Sequence, residues 1–309
     1  MPTKIEKDAV SGRDTTGHEW DGVKELNVPL PKWWLYVLYA TIAWAVVWCV
    51  LYPSIPYGTG YFHGLLGYSQ RKAVDADVAA VAAQRAGSMA KIEASSFADI
   101  RKDPQLLAVA EIAGRITFAN NCQPCHGAGG GGQKGYPALA AGDWMWGGTL
   151  EAIQQTVTHG IRSGDPDARN SAMPRFGVDG MLKPEEIQLV ADYVMTLFGK
   201  PEAGKPESDV PGIGKPAADQ SASEKNVAAG KALFETNCAA CHGDAGQGNR
   251  DFGAPRLAAR IHLRANTRED VVAQVTNPHM GVMPNWNQRL DPATIKSVTL
   301  YVHSLGGGE

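Results

Sequence analysis

One stretch of the chain is apolar on every helical face and carries no charged residue. It covers the twenty residues 33–52, WWLYVLYATIAWAVVWCVLY. A helix of this length reaches about 30 Å, the thickness of the hydrocarbon core of a bilayer. Pro31 and Pro53 bound the run, and its flanking aromatic residues are Trp33, Trp34, Tyr36, Tyr52, Tyr57 and Tyr61. The pattern predicts one membrane-spanning helix with an aromatic belt at each interface.

The basic residues around this run predict its orientation. Those that precede it are Lys4, Lys7, Arg13, Lys24 and Lys32, whereas the first that follow are Arg71 and Lys72. Because basic residues are retained on the cytoplasmic side, we expect a cytoplasmic amino terminus and an exported remainder. A cleavable signal peptide fits less well, because the segment before the run is too long and too acidic for the amino-terminal region of a signal peptide. In addition, no A-x-A cleavage site follows the run. A buried helix of a soluble domain is usually shorter and carries a polar stripe.

Segments after the run have the helical spacing of apolar residues and recognisable helix starts. The predicted helices cover 71–100, 104–121, 149–161 and 184–198, followed by three that begin near Asn226, Thr267 and Asp291. Proline at the first helical position opens three of them, and Thr267 with Asp270 resembles a capping box. The predicted fold class is all-α.

The later part of the chain contains an internal duplication. Residues Gly114, Phe118, Cys122, Cys125 and His126 recur as Gly230, Phe234, Cys238, Cys241 and His242 at one offset of 116 residues. Further downstream, Pro137, Met173-Pro174 and Tyr193 are matched by Pro255, Met283-Pro284 and Tyr301. Two long copies predict tandem domains, since a solenoid needs more and shorter repeats.

Each copy contains a C-x-x-C-H motif, the signature of covalent haem attachment. The motifs are Cys122-Gln-Pro-Cys125-His126 and Cys238-Ala-Ala-Cys241-His242. Two thiols at this spacing reach the two vinyl groups of one porphyrin, and the adjacent histidine then ligates the iron. A zinc site would need a second histidine pair at short spacing, and a thioredoxin-like site would need a βαβ pattern. Neither accompanies these motifs, so two haem c groups are predicted.

A methionine-proline pair follows each motif in a polar loop, at Met173 and Met283. A thioether is a soft ligand that suits haem iron, and histidine–methionine ligation raises the reduction potential. We expect each methionine to complete the iron site of its own copy. Competing ligands are Met145, Met181, Met195, Met280 and His159, of which Met195 lies in an apolar run typical of core and Met280 is the nearest rival.

Composition narrows the function classes. A formal net charge of −3 and a pI of about 6.2 give no electrostatic support for nucleic acid as a partner. Four of the five cysteines lie in the two motifs. The fifth, Cys49, lies in the apolar run, where we expect it to act as a small apolar side chain. The mean hydropathy of −0.23 argues against a polytopic membrane protein but is compatible with one span.

The repeat resembles the class I cytochrome c domain. In that family a glycine and an aromatic residue of the first helix meet an aromatic residue of the last helix. The resemblance implies that Gly114 and Phe118 meet Tyr193, and that Gly230 and Phe234 meet Tyr301. It also implies that the carbonyls of Pro137 and Pro255 accept the other N–H of each ligand histidine, the alternative being ordinary turns. Around the first haem, Arg162 is expected either to bind a propionate or to lie in solvent.

Over nearly its whole length the chain resembles the dihaem subunit III of cbb3-type cytochrome c oxidases. The most specific stretches are 21–34 (DGVKELNVPLPKWW), 142–148 (GDWMWGG) and 158–162 (THGIR). The resemblance implies a bacterial inner-membrane complex that reduces oxygen with high affinity and pumps protons. Electrons would pass from a cytochrome c donor or the bc1 complex, through two haems here, to the monohaem subunit and the catalytic haem b–copper subunit.

The predicted organisation has six parts. These are a cytoplasmic segment 1–32, a transmembrane helix 33–52, a helical connector 53–103, a cytochrome c domain 104–200, a proline-rich linker 201–225 and a second cytochrome c domain 226–309. Iron with two filled axial positions has no place for a substrate, so no catalytic site is expected in this chain. The alternatives are a dihaem peroxidase with one open iron position and a membrane-tethered haem sensor or assembly factor.

Overall fold

A computed structural model describes residues 4–199, 224–259 and 262–309. Helices predominate within them, as predicted, and two short antiparallel hairpins are the exceptions. The predicted proline-rich linker 201–225 lies outside the described residues, apart from its last two, which begin a helix. The chain divides into two compact units, Met1–Ala82 and Ala83–Glu309.

The first unit contains a hairpin that the sequence analysis missed. Strand β1 (Thr15–Trp20) pairs antiparallel with β2 (Val23–Leu26). Asp21 and Gly22 between them both have positive φ, at 49° and 86°. An Asp-Gly pair between two strands is a strong hairpin signal, so this element was accessible from sequence.

Helix α1 (Lys32–Leu51) matches the predicted span within one residue and has no buried residue. Among the described residues it is the one helix long and apolar enough to cross a membrane. The segment that follows contains a second hairpin, β3 (Pro56–Tyr57) with β4 (Gly60–Tyr61). The prediction of a helical connector over 53–103 is therefore wrong for its first part, where glycine and proline interrupt any helical period.

The connector becomes helical at α2 (Gln70–Ala94), followed by α3 (Phe97–Lys102). Ser96 separates them and caps α3 by accepting a hydrogen bond from the Asp99 N–H. Ile92, Phe97 and Ile100 are buried. The end of the connector therefore contributes to the core of the second unit.

Eight helices carry the two repeats. They are α4 (Pro104–Asn121), α5 (Gln123–His126), α6 (Leu150–His159) and α7 (Pro184–Met195), then α8 (Glu224–Asn237), α9 (Ala239–His242), α10 (Arg268–Thr276) and α11 (Pro292–Ser304). Asp103, Thr149 and Asp291 each cap the helix that follows. Thr267 and Asp270 form the predicted capping box. Several predicted limits are wrong. Asn226 lies inside α8, α7 ends at Met195 instead of continuing to residue 198, and α6 ends at His159 instead of 161. The predicted helix 71–100 is interrupted at residues 95–96, between α2 and α3.

The first and last helices of the repeats pack crosswise. Helix α4 of the first repeat packs on α11 of the second, and α8 of the second packs on α7 of the first. Phe118 meets Tyr301 with ring centroids 5.4 Å apart. Tyr193 meets Phe234 at 5.2 Å. The expected pairs, Phe118 with Tyr193 and Phe234 with Tyr301, are therefore wrong.

A glycine makes each crossing possible. A Cβ at Gly114 would overlap the carbonyl oxygen of Ser297, and one at Gly230 would overlap that of Leu189. The two helices thus touch backbone to backbone. Because Tyr193 and Tyr301 stand at equivalent places in the two repeats, the repeat pattern does not distinguish the two pairings.

Each compact half of the second unit consists of the beginning of one repeat and the end of the other. One core contains Phe118, Ile153 and Val157 together with Ile295, Val298 and Val302. The other contains Phe234, Val271 and Val275 together with Phe176, Ile187 and Val190. The exchanged segments cross where Ile161 pairs with Met283 and where the Gly177 and Val178 N–H groups bond to Thr276 O.

A double-mutant cycle tests the crosswise pairing. We expect Phe118→Leu and Tyr301→Leu to be coupled by about 0.5–1.5 kcal/mol in the free energy of unfolding, because the two rings touch. The matched cycle, Phe118→Leu with Tyr193→Leu, is expected to be additive within about 0.3–0.5 kcal/mol. Denaturant titrations supply both values, and coupling in the second cycle alone would contradict the exchange.

Candidate functional site

The first C-x-x-C-H motif lies where α4 ends. The Cys122 N–H still bonds to Phe118 O, and α5 then turns the chain once, so that His126 is buried. His126 donates from Nδ1 to the carbonyl oxygen of Pro137 at 3.1 Å. Since a carbonyl oxygen only accepts, the ring proton is on Nδ1 and Nε2 keeps its lone pair for a metal.

The second motif has the same geometry. Cys238 follows α8, α9 forms the single turn, and His242 is buried. His242 donates from Nδ1 to Pro255 O at 3.0 Å. The hydrogen bond that the resemblance implied is present in both copies, so both imidazoles are held in the tautomer that ligates metal through Nε2.

Burial sets the protonation of these groups. It lowers the pKa of His126 and His242, while the bonds to Pro137 and Pro255 act in the opposite direction. It also raises the pKa of the Cys122 and Cys238 thiols to about 11. The neutral imidazole, which is the ligating form, is therefore favoured.

The two methionines lie with the motif of the other repeat. Met173 lines a cavity of about 400 Å³ together with Cys238, Cys241 and His242. Met283 packs on the core of Phe118 and Ile153, on which Cys122 of the first motif also packs. The expectation that each methionine stays with its own copy is wrong, because the methionine loops are exchanged together with α7 and α11.

The rival methionines are distributed differently. Met195 is buried in the core, as predicted. Met145 and Met280 line the same cavity as Met173. Met181 is 54% exposed. Met280 therefore stands near the second motif, whereas Met283, three residues further on, stands near the first.

The expectation that Arg162 lies at the first motif is wrong, whereas the role of His159 as a rival ligand stays a prediction. His159 donates from Nδ1 to Asp165 Oδ1 at 2.9 Å, at the C-terminal end of α6. Arg162 lines the cavity of the second motif, not the first. Its Nε donates to Gly281 O at 2.8 Å and its Nη1 to Ser171 O at 3.0 Å. Arg162 thus joins the two methionine loops.

Two polar residues of this cavity, His262 and Arg264, were not predicted from the sequence. Both line it, and the His262 Nε2 and Arg264 Nε are buried with no hydrogen-bond partner among the described residues. The His262 ring stacks on Phe198 at 3.7 Å, and burial lowers its pKa to about 4. Neither residue belongs to a recognisable motif, and both are brought to the cavity by a loop.

The cavity suits a haem. Its walls include Phe176, Val190 and Phe234, which match an apolar macrocycle, while the unpartnered Arg264 Nε is a donor suited to a carboxylate. The two cysteines and His242 stand together on the cavity wall, and Met173 also lines it. This donor set of thiols, imidazole and thioether is the one that haem c requires.

The segment 144–146 connects the surroundings of the two motifs. Trp144 packs against the core that contains Met283, and its indole N–H donates to Gly307 O. Trp146 lines the cavity of the second motif, with the Arg169 guanidinium 5.4 Å from the ring centroid. Neighbouring tryptophans therefore contact the surroundings of different motifs.

Comparison with known proteins assigns the family. Residues 110–194 and 225–302 each match the family described as cytochrome c oxidase, cbb3-type, subunit III. The chain belongs to this family. Residues 12–59 also match the N-terminal domain of cytochrome oxidase-cbb3, FixP. The matched regions of subunit III include both C-x-x-C-H motifs and both methionine loops.

Full-length relatives carry the same family name. A cbb3-type cytochrome c oxidase subunit FixP of Bradyrhizobium sp. (strain ORS 278) is 46% identical, and the alignment covers 100% of both chains. A subunit CcoP of Azospirillum sp. (strain B510) is 47% identical over 98% of both chains. The subunit CcoP of Cereibacter sphaeroides is 43% identical over 100% of both.

Gly160 controls the position of the Met283 loop. A Cβ there would overlap Met283 O, and φ is +74°, whereas Gly164 has φ +87° and open space around it. We expect Gly164→Ala to cost about 1–2 kcal/mol of unfolding free energy from backbone strain alone. Gly160→Ala is expected to cost more and to speed amide exchange at the Ile161 and Met283 N–H groups. Equal exchange rates in the two variants would show that the contact does not hold the loop.

Proposed function

We propose that this chain is the electron-transfer subunit of a cbb3-type oxidase and binds two haem c groups. The observation that carries the proposal is the pair of matched sites, each with two cysteines, a buried histidine bonded to a proline carbonyl, and a methionine. Membership of the subunit III family supplies the complex in which they act. Haem c, when bound, supplies reversible one-electron exchange at its iron.

The ligand sets of the proposed sites cross the two repeats. Cys122 and Cys125 would hold the first haem, and His126 and Met283 would ligate its iron. Cys238 and Cys241 would hold the second, and His242 and Met173 would ligate its iron. The crossing follows from where each methionine packs. Pro137 and Pro255 orient the histidines, and each imidazole then presents Nε2 to the iron.

The chain's own residues tune electron transfer and exclude other chemistry. Iron held by both a histidine and a methionine would have no site left for oxygen or peroxide, so we expect no catalytic site in this chain. Thioether ligation would raise the reduction potential of both haems towards that of a cytochrome c donor. Arg264 would bind a propionate of the second haem through its buried Nε, and Arg162 holds the loops of Met173 and Met283 together.

The proposed electron route begins at a cytochrome c donor or the bc1 complex. It passes through the two haems of this chain to the monohaem subunit, and then to the haem b and haem b3–copper centres of the catalytic subunit. Oxygen reduction with high affinity and proton pumping belong to the whole complex. The family match and the names of the relatives support a subunit of this oxidase, and the route within the complex is the one that the resemblance to subunit III implies.

The proposed location is the bacterial inner membrane. Helix α1 crosses it once, the segment before α1 stays in the cytoplasm, and the haem region lies in the periplasm. The excess of basic residues before α1 supports this orientation, and its apolar length supports the span.

Single-haem variants test the crossed ligand sets. In a Cys238→Ala/Cys241→Ala background, which keeps only the first haem, Met283→Ala is expected to abolish the sulfur-to-iron charge-transfer band. We also expect the midpoint potential to fall by on the order of 0.1 V, since axial ligands set much of the potential. Met173→Ala is the matched control and is expected to leave the band in place. Loss of the band with Met173→Ala instead would contradict the crossing.

Co-purification tests the proposed complex. Gentle detergent extraction through an affinity tag on this chain is expected to yield haem b and copper together with haem c, because the catalytic subunit remains attached. Haem and metal analysis of the eluate measures this directly. The same preparation is expected to oxidise reduced cytochrome c with consumption of oxygen. Haem c alone, with neither haem b nor copper, would contradict the oxidase assignment.

A further inference from the structure

The segment that follows α1 folds back onto the end of that helix. It covers residues 53–69, PSIPYGTGYFHGLLGYS, and we call it the collar. The collar contains no Asp, Glu, Lys or Arg, so the uncharged surface of α1 continues through it. Strands β3 and β4 lie within the collar, and the Phe62 N–H closes the hairpin on Ile55 O at 2.9 Å.

The collar completes the hydrogen bonding at the end of α1. The last four carbonyls of a helix lack partners within it and normally bond to water. The N–H of Tyr52, the residue that caps α1, bonds to Trp48 O at 2.9 Å. The collar supplies the other three donors, which are Ser54 Oγ to Cys49 O at 2.8 Å, the Leu65 N–H to Val50 O at 2.9 Å and the Leu66 N–H to Leu51 O at 3.1 Å. No carbonyl of this end needs a water molecule. This is the condition for a helix end that lies in lipid, where an unsatisfied backbone group costs several kcal/mol.

Gly64 allows this close contact. Its φ is +77°, and a Cβ at this position would come within 2.5 Å of Leu51 O and of the Tyr52 carbonyl carbon. The next two residues, Leu65 and Leu66, are the ones whose N–H groups bond to α1. A side chain at Gly64 would therefore push the collar off the helix end.

The outer surface of the collar is apolar and aromatic. Within the first unit Leu65 is 74% exposed and Leu66 59% exposed, and Ile55, Tyr57, Tyr61, Phe62 and Tyr68 are also exposed. Tyr52 stacks on Trp48 at 4.2 Å and meets the edge of Tyr68 at 5.6 Å. Exposed tyrosine together with exposed leucine is the composition of segments that lie at the boundary of headgroups and acyl chains.

We propose that the collar is a lipid-binding element, with Leu65 and Leu66 inserted among the acyl chains of the leaflet next to the haem region. It extends the apolar surface of α1 and lets that helix end below the water interface. Lipid is the occupant that fits, because the surface has no Asp, Glu, Lys or Arg, is continuous with the span, and covers a helix end whose last four carbonyls are already bonded. The proposal rests on α1 crossing the membrane, and its test separates the two.

Spin-label accessibility tests the proposal in the haem-loaded full-length chain, purified with its partner subunits and reconstituted into phosphatidylcholine vesicles. Labels are placed through Leu65→Cys and Leu66→Cys in a Cys49→Ser background. Power saturation then compares collisions with oxygen, which partitions into lipid, and with a nickel chelate, which stays in water. We expect the collision rate of the label with oxygen to exceed its collision rate with the nickel chelate several-fold at both positions.

Two matched control positions make the outcomes distinct. Val46→Cys, on the exposed surface of α1, reports the span, and Val78→Cys, on an exposed face of α2 beside Asp77, reports water. If the label at Leu65 is as accessible to nickel as the label at Val78 while the label at Val46 lies in lipid, the collar proposal is overturned and the span is unaffected. Shielding of Leu65 from both reagents overturns it in favour of a protein neighbour. Nickel accessibility at Val46 overturns the span itself.

The Gly64 contact provides a second, independent measurement. Gly64→Val is expected to raise nickel accessibility at Leu65→Cys several-fold, because the collar leaves the end of α1. Gly58→Val is the matched control, since Gly58 also has positive φ, at +49°, but a Cβ at this position would have no atom within 4 Å. An unchanged Leu65 label in the Gly64 variant would show that the collar does not depend on its bonds to the helix end.

Discussion

The close crossing of helices at Gly114 and Gly230 is the constraint on which the haem region depends. At each crossing the glycine lies against the backbone of the partner helix, where any side chain would overlap a carbonyl oxygen. The aromatic pairs one turn further on, Phe118 with Tyr301 and Phe234 with Tyr193, fill the space beside each contact. Because each partner helix comes from the other repeat, neither half has a complete core made from its own repeat alone.

The helix crossing affects the proposed haem sites through the methionine loops, because these loops are continuous with α7 and α11. Each loop is placed by the helix that follows it, so the thioether sulfurs exchange together with the helices. Arg162 strengthens this arrangement, since its guanidinium bonds to Ser171 O beside one methionine and Gly281 O beside the other. In the proposed sites, the ligands of each iron therefore come from both repeats.

Much of the fold was predictable because it is local. The Asp103 and Asp291 caps, the capping box of Thr267 and the span at α1 are all decided by residues within a few positions of one another. The hydrogen bonds from His126 to Pro137 and from His242 to Pro255 also close short loops. By contrast, no local sequence pattern indicates that His262 and Arg264 line the cavity. Their position depends on the path of a loop through the tertiary structure.

The sequence by itself determined the span, the two C-x-x-C-H motifs, the helices and the types of ligand, because periodicity, capping and motif spacing act over short distances. The tertiary structure alone decided which last helix packs on which glycine, and so which methionine loop lies with which C-x-x-C-H motif. The physical reason is the duplication: Tyr193 and Tyr301 occupy equivalent places in the two repeats, as do Gly114 and Gly230. A pattern of residue types cannot choose between equivalent contacts, whereas the packed chain adopts one of them.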